Sequence, residues 1–161
     1  MESLRFYIAA RLSSRQEVQE IYHKIREREH IISLDWIQIK DLDKPYNKNS
    51  TLAGRYAGKI IRAIKDSDIF IMLNDEKGTG TDMYGEIASA ISFNLIYKKP
   101  EIFVMDMNKN ISPSIFPFHP AVIHKKAIEE ILNELESSSF LIRRKVIDNL
   151  LDAVEKIRRK S

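Results

Sequence analysis

The sequence contains no cysteine and no long apolar run, and both absences narrow what the protein can be. Its 161 residues include no Cys, which excludes disulfides, thiolate catalysis and cysteine-ligated metal sites. No apolar stretch reaches the length that spans a bilayer, and the N-terminal residues lack the basic start and cleavage site of a signal peptide. We therefore expect a cytoplasmic protein with no membrane partner.

Histidine is also sparse, and the charge of the chain is nearly balanced. The four histidines are scattered without metal-ligand spacing, so we expect neither a metal nor a cofactor. The net charge is +3, but basic and acidic residues alternate along the predicted helices, so most of this charge lies on solvated faces. This balance favours a small anionic ligand over a nucleic-acid polymer.

Apolar runs alternate with amphipathic stretches along most of the chain. The runs predict buried strands at 4–10, 31–39, 68–74 and 101–107, with a short fifth strand in 121–124. Strands that alternate with helices indicate a doubly wound, mostly parallel α/β sheet of the flavodoxin-like or Rossmann-like kind. We place this α/β domain at 1–125 and predict that the helical segment 126–161 packs on it or on a partner subunit.

The order of the strands predicts where a ligand binds. In open α/β sheets, ligands bind beyond the carboxyl ends of the strands, where the strand order reverses. In a flavodoxin-like sheet that point lies between the first and third strands. Residues 10–15 and 74–86 should therefore line one crevice.

The segment GTGTDMYGEIASA, residues 78–90, places flexible residues before an apolar helix. Glycines at 78, 80 and 85 permit tight turns and close approach of a ligand, although the segment matches neither a Walker loop nor a dinucleotide fingerprint. If Thr81 or Asp82 is the N-cap, Glu86 lies beyond the capping-box position. Glu86 is then either an acid favoured by the helix dipole, by about 0.3–1 kcal/mol, or the reactive carboxylate of a site.

Several segments in a fixed order resemble the nucleoside 2-deoxyribosyltransferase-like family. They are FYIAARLSSRQEV, LDW, AIKDSDIFIMLN, GTGTDMYGEIASA, KKPEIFVM and FPFHP, and the resemblance covers roughly residues 5–123. The glycine-rich turn into Glu-Ile-Ala-Ser-Ala looks like the family segment that carries the nucleophilic glutamate. The resemblance therefore implies that Glu86 is a nucleophile acting on an N-glycosidic bond.

The same resemblance implies roles for residues around the first strand. Tyr7 matches an active-site tyrosine of the family. The polar turn falls where relatives hold sugar or phosphate groups, and Gly78 and Gly80 belong to the glycine-rich segment. The residues of that polar turn are Arg11, Ser13, Ser14 and Arg15. A pair of cations beside a helix N-terminus is in any case a suitable phosphate site, although both arginines could equally decorate the first helix.

One position departs from the family pattern. Many members carry an acidic residue eight positions before the aspartate that opens the third strand, and here that position is Ile60. Asp75 and Asp82 are possible substitutes for orienting or protonating a ligand, but Asp82 is also a natural helix cap. The departure leaves an altered or absent activity open.

The remaining candidates each have a structural alternative. Trp36 either stacks on a base or belongs to the core. Ser112 and Ser114 either contact a phosphate, in this subunit or a neighbouring one, or face water. His119, between Phe118 and Pro120, is more simply structural, and the apolar stripe of the last helix is core or a dimer contact.

Three functions fit these observations. The first is cleavage or transfer at the N-glycosidic bond of a nucleoside or nucleoside monophosphate, with Glu86, Tyr7 and Asp82 as catalytic residues. The second is a non-catalytic nucleotide-binding module, and the third is a hydrolase of a larger nucleotide such as NAD. We also expect a homo-oligomer.

Overall fold

The computed structural model describes residues 3–39, 46–74, 80–106, 114–137 and 140, together with part of the segment 142–159. The chain divides into two compact units, Met1–Ile128 and Glu129–Ser161. The predicted packing of residues 126–161 on the α/β domain or on a partner stays a prediction. Within the described ranges, no helix combines the length and the apolar character that crossing a bilayer requires.

The first unit is built on a five-stranded sheet in which every described pairing is parallel. The strands lie in the order β2-β1-β3-β4-β5. Their bounds are Arg5–Ala9 (β1), Ile31–Ile32 (β2), Ile69–Asn74 (β3), Glu101–Asp106 (β4) and Val122–Lys125 (β5). The doubly wound, flavodoxin-like α/β fold predicted from the sequence is confirmed.

The central strands of the sheet are buried on both faces. All six residues of β3 are buried, as are the four central residues of β4. Such continuous apolar runs are typical of parallel strands that are covered by helices on both sides. One face of the sheet packs Tyr7, Phe70 and Met72 into a cluster with apolar residues of the helices that follow β2 and β3.

The described residues include four α-helices. They are Arg15–Glu27 (α1), Ser50–Asp66 (α2), Thr81–Tyr97 (α3) and Ile128–Leu135 (α4). Short 3-10 turns lie at Leu12–Ser14, Trp36–Gln38, Tyr46–Asn49 and Phe116–Phe118. The helix α3 begins at Thr81 with Gly80 as its N-cap, so neither of the predicted N-cap candidates, Thr81 and Asp82, has that role.

The second strand is much shorter than the predicted 31–39. Its pairing with β1 extends only through the bond from the Ser33 amide to the Phe6 carbonyl, 2.8 Å long. Beyond that point side chains satisfy the backbone, since the hydroxyl of Tyr22 donates to the Leu34 carbonyl and Arg15 donates to the Ile37 carbonyl. The segment after Ser33 therefore leaves the sheet and turns across its carboxyl end.

Candidate active site

An open cleft of about 740 Å³ lies where the strand order reverses. Residues from the end of β1, from α2 and from the start of α3 line it. The lining residues are Tyr7, Ala10, Leu12, Trp36, Ile39, Tyr46, Ala53, Gly54, Tyr56, Ala57, Ile60, Ile61, Thr81, Asp82, Met83, Gly85, Glu86 and Ser89. The volume falls in the range of about 300–1,000 Å³ that small-molecule sites occupy.

The cleft contains a tyrosine and a glutamate that are in direct contact. The Tyr7 hydroxyl donates a hydrogen bond to Glu86 Oε1 at 3.0 Å, although the residues are 79 positions apart. Tyr7 is almost fully buried, and its ring stacks on Phe70 with the centroids 5.7 Å apart. Stacking fixes the ring, so the hydroxyl holds one carboxylate oxygen of Glu86 in place.

The environment of Glu86 opposes ionisation of its carboxyl. Burial raises the pKa of Glu86 from 4.5 to about 8, the hydrogen bond from Tyr7 partly offsets this rise, and the charge of Asp82 adds to it. A helix dipole acting on an exposed carboxylate has the opposite sign, because it favours the charged form. The position of Glu86 therefore costs free energy when the group is charged, as is common for functional groups in clefts.

Tyr7 remains a hydrogen-bond donor throughout the ordinary pH range. Burial is the main cause that raises the pKa of Tyr7 well above its usual value, and the neighbouring charge of Glu86 raises it further. The hydroxyl proton is thus retained for the bond to Glu86. The pair consists of a permanent donor and a carboxyl group that titrates.

The periodicity of α3 turns Glu86 towards the cleft. Met83, Ile87, Ala90 and Ile91 are the buried residues of the helix. Asp82, Gly85, Glu86 and Ser89, on the neighbouring face, line the cleft, which Met83 also borders. These two sets recur at intervals of three and four residues, as neighbouring faces of one helix must. At the helix start, the Gly80 amide donates to the sulfur of Met83 at 3.2 Å.

An aromatic and apolar wall forms the other side of the cleft. Trp36 is fixed there because its indole N–H donates to the Ile8 carbonyl at 2.8 Å. Tyr46, Tyr56 and Ile60 also line the cleft. Trp36 thus lies in the ligand crevice, and Ile60, where the family resemblance expects an acid, contributes an apolar surface to it.

The polar turn between β1 and α1 contributes differently from the prediction. Ala10 and Leu12 line the cleft, but Arg11, Ser13, Ser14 and Arg15 are not among the described lining residues. Arg15 donates to the Ile37 carbonyl at 2.7 Å. Ser14 is buried as the N-cap residue of α1, and Ser13 is exposed.

Arg11 and Gly80 are close neighbours at the edge of the cleft. A Cβ placed on Gly80 would lie 3.5 Å from the Cγ of Arg11. The stem of Arg11 therefore packs beside the N-terminus of α3, where an anion is favoured. The phosphate role predicted for Arg11 and Arg15 stays a prediction.

Ser114 and His119, two further sequence candidates, are not among the described residues that line the cleft. The Ser114 hydroxyl accepts from the Phe116 amide at 3.3 Å, and His119 Nδ1 accepts from the Ala121 amide at 3.1 Å. Both residues support the loop before β5. Gly78, Asp75 and Ser112 lie outside the described residues.

A second polar cluster joins the ends of three strands. Asn74 donates to Asp106 Oδ1 at 2.9 Å, and His124 Nδ1 lies 2.5 Å from Asp106 Oδ2. His124 Nε2 is 2.8 Å from the Pro117 carbonyl. These side chains do not line the cleft, and the described residues contain no group of three or more His, Asp or Glu side chains able to hold a metal.

Sequence reasoning missed the α2 side of the cleft. Ala53, Gly54 and Ala57 form a surface of small residues on α2, and Tyr46 and Tyr56 flank it. The spacing of the small residues in LAGRYAG was the available signal. It indicated a helix, but not that one face of the helix would border a cavity.

Comparison with solved structures finds a likeness of fold. The fold is similar to that of the CMP N-glycosidase BcmB of Clostridium botulinum, with a TM-score of 0.50 and 17% sequence identity. The match covers 83% of this chain and 99% of that protein. No family model matches the sequence, and no curated protein does. At this level of identity the likeness shows the fold alone.

Proposed function

We propose that this protein cleaves or transfers at the N-glycosidic bond of a nucleoside or nucleoside monophosphate, with Glu86 as the nucleophile. The observation that carries the proposal is the contact between Tyr7 and Glu86 inside a cleft of ligand size. The fold shared with a CMP N-glycosidase supports it. The resemblance of the segment around Glu86 to the nucleoside 2-deoxyribosyltransferase-like family points to the same residue.

The chemistry uses the two oxygens of the Glu86 carboxylate separately. Tyr7 donates to Oε1, and Oε2 is the oxygen proposed to reach the anomeric carbon. Positive charge develops on the sugar as the bond to the base breaks, and a carboxylate on its opposite face stabilises that charge or forms a glycosyl ester. Water then gives hydrolysis, whereas a second base gives transfer.

Asp82 is the proposed partner of Glu86 in this step. It is exposed, lines the cleft and lies close enough for its charge to raise the pKa of Glu86. In this position it can orient the sugar or exchange a proton with solvent. Arg11 beside Gly80 is the proposed contact for a 5′-phosphate, and no cofactor is required.

One feature favours a second candidate, a nucleotide-binding module without catalysis. The apolar Ile60 lines the cleft where relatives carry an acid. A site of this composition could bind a base without protonating it. Binding without release of base would support the module.

Release of free base from a panel of nucleosides, nucleoside monophosphates and NAD tests the proposal. Glu86→Gln should lower kcat/KM by about a thousandfold or more, because it removes the nucleophile but keeps the side-chain shape. Glu20→Gln, at an exposed position of α1, is the matched control and should leave the rate unchanged. A Glu86→Gln protein with more than a tenth of the wild-type rate would contradict the proposal.

A further inference from the structure

The formal charges in the described part of the cleft lining are of one sign. Among the described lining residues the formally charged ones are Asp82 and Glu86, and both are acidic. Arg15, which the sequence suggested as a ligand for an anion, binds the Ile37 carbonyl. A concave surface with acidic groups and low-dielectric walls concentrates cations.

Aromatic rings line the same cleft. Trp36 is locked by its bond to the Ile8 carbonyl, and Tyr46 lies nearby in the lining. The faces of aromatic rings attract cations, and Trp and Tyr do so strongly. One face of Tyr56 already carries the Lys59 ammonium, 5.6 Å from the ring centroid, so we assign the ligand to Trp36 and Tyr46.

The α2 side of the cleft is mostly apolar. Its lining residues Ala53, Ala57, Ile60 and Ile61 have no proton to give a departing base, and among the described lining residues of this helix only Tyr56 carries a hydroxyl and none carries a carboxylic acid. A neutral pyrimidine leaves as an anion unless an acid protonates it, whereas a base that is cationic in the substrate leaves as a neutral molecule. The second kind of leaving group suits an apolar wall.

We propose that the cleft is built for N-glycosides whose base carries a positive charge, such as pyridinium or N-alkylated purinium nucleosides. This proposal rests on the proposed function and narrows its substrate class. The C1′–N bond breaks with its electron pair passing to the ring nitrogen, so the base departs neutral and takes no proton. A Glu86 oxygen forms the new bond to C1′, and water later displaces it to give the free sugar and one proton.

Binding of two small probes tests the charge preference without any turnover. N1-methylnicotinamide is a permanent pyridinium cation, and nicotinamide is its neutral counterpart of nearly equal size. At pH 9, where the Glu86 carboxyl is ionised, the cation should bind the wild-type protein about tenfold more tightly or better. Tyr46→Leu should reduce this preference because it removes the aromatic ring, and Tyr46→Phe should retain it because it keeps the ring. Both proteins should fold, since Tyr46 is partly exposed. Equal or tighter binding of nicotinamide would overturn the proposal.

Turnover separates this inference from the proposed function. Free base should appear faster from a pyridinium riboside than from cytidine or uridine, after each rate is divided by its uncatalysed rate. Ile60→Glu, which adds an acid to the apolar wall, should narrow the difference by accelerating the pyrimidine nucleosides. Cleavage of pyrimidine nucleosides alone, dependent on Glu86, would overturn the inference but uphold the proposed function. Release of base from none of the compounds would overturn both.

Discussion

Two turns follow neighbouring strands at the carboxyl edge of the sheet, and they serve different purposes. The turn after β1, residues 11–15, directs Arg15 to the Ile37 carbonyl and so fixes the segment that leaves β2. The start of α3, residues 80–86, directs Glu86 into the cleft, where Tyr7 contacts it. Polar residues at the carboxyl edge of the sheet thus have one of two roles. Some bind the backbone of a neighbouring segment, as Arg15 does, and others face the cleft, as Glu86 does.

The contrast between the two turns predicts that substitutions in them change the free energy of unfolding in opposite directions. Glu86→Gln should raise it and Arg15→Ala should lower it, and the change at Glu86 should be the larger. Its pKa is raised to about 8 in the folded state, so the folded protein binds the proton more tightly than the unfolded chain does. This preference reduces stability progressively as the pH rises from 4.5 to about 8. Glu86→Gln should therefore raise the free energy of unfolding at pH 7 by about 2–3 kcal/mol.

Urea unfolding of the Glu86→Gln and wild-type proteins at several pH values measures this effect. The two proteins should be nearly equal below pH 4.5, and their difference should grow up to pH 8. Glu20→Gln provides the control for an exposed glutamate. A constant difference across this range would show that burial of the charge is not the cause.

Substitutions of two glycines in α2 test whether this helix borders the bound ligand. A Cβ placed on either Gly54 or Gly58 would meet no neighbouring atom within 4 Å, but only Gly54 is among the described lining residues of the cleft. Gly54→Leu should fill part of the cleft and raise KM roughly thirtyfold, which corresponds to about 2 kcal/mol. The matched control Gly58→Leu should not change KM.

Both substitutions should stabilise the helix by up to about 1 kcal/mol, since leucine has the higher helix propensity. Thermal unfolding checks that stability changes alike in the two proteins. Equal effects on KM would mean that α2 does not border the ligand.

The contact between Tyr7 and Glu86 predicts a smaller effect with a distinctive pH dependence. As the proposed nucleophile, Glu86 must be ionised to react, so kcat/KM should rise with pH towards the Glu86 pKa of about 8. The Tyr7 hydrogen bond lowers that pKa, so Tyr7→Phe should move the profile to higher pH. At pH 7 the loss should be about tenfold.

The pH profile of base release, measured for both proteins, distinguishes this role from simple packing. A loss that is the same at every pH would make Tyr7 a structural residue only. A rate that falls as the pH rises would instead make Glu86 a proton donor, because its protonated form would be the active one.

The smallest effect should come from the turn after β1. Arg15→Ala removes the hydrogen bond to the Ile37 carbonyl and should lower the free energy of unfolding by about 1 kcal/mol. Arg62→Ala, at an exposed position of α2, is the control. Arg15→Ala could instead weaken the binding of nucleoside monophosphates far more than the binding of nucleosides. The turn would then be a phosphate site, and the contrast between the two turns would disappear.

Much of the fold was predictable because its signals are local. The buried runs that became β1, β3 and β4 showed their character in five to seven residues, and their alternation with helices indicated a parallel sheet. The strand predicted at 31–39 failed beyond Ser33, because the partners of that segment are the side chains of Tyr22 and Arg15. Neither partner could be inferred from the segment itself.

The candidate site was predictable only in part. The sequence singled out Tyr7, Trp36, Asp82 and Glu86, and all four border one cleft. It gave no reason to expect Tyr46 or the small residues of α2 beside them, because a helix pattern does not reveal which face will lack a neighbour. The roles proposed for these residues await the experiments above.

The sequence alone determined the alternation of buried strands and helices, and with it the edge of the sheet where a ligand can bind. Tertiary structure decided that Tyr7 contacts Glu86, which is 79 positions away in the sequence, that Arg15 donates to the Ile37 carbonyl, and that Ile60 lines the cleft. The physical reason is that periodicity and burial are properties of neighbouring residues. The partner of a polar side chain, and so its pKa and its chemistry, depends on which distant segments the completed sheet brings together.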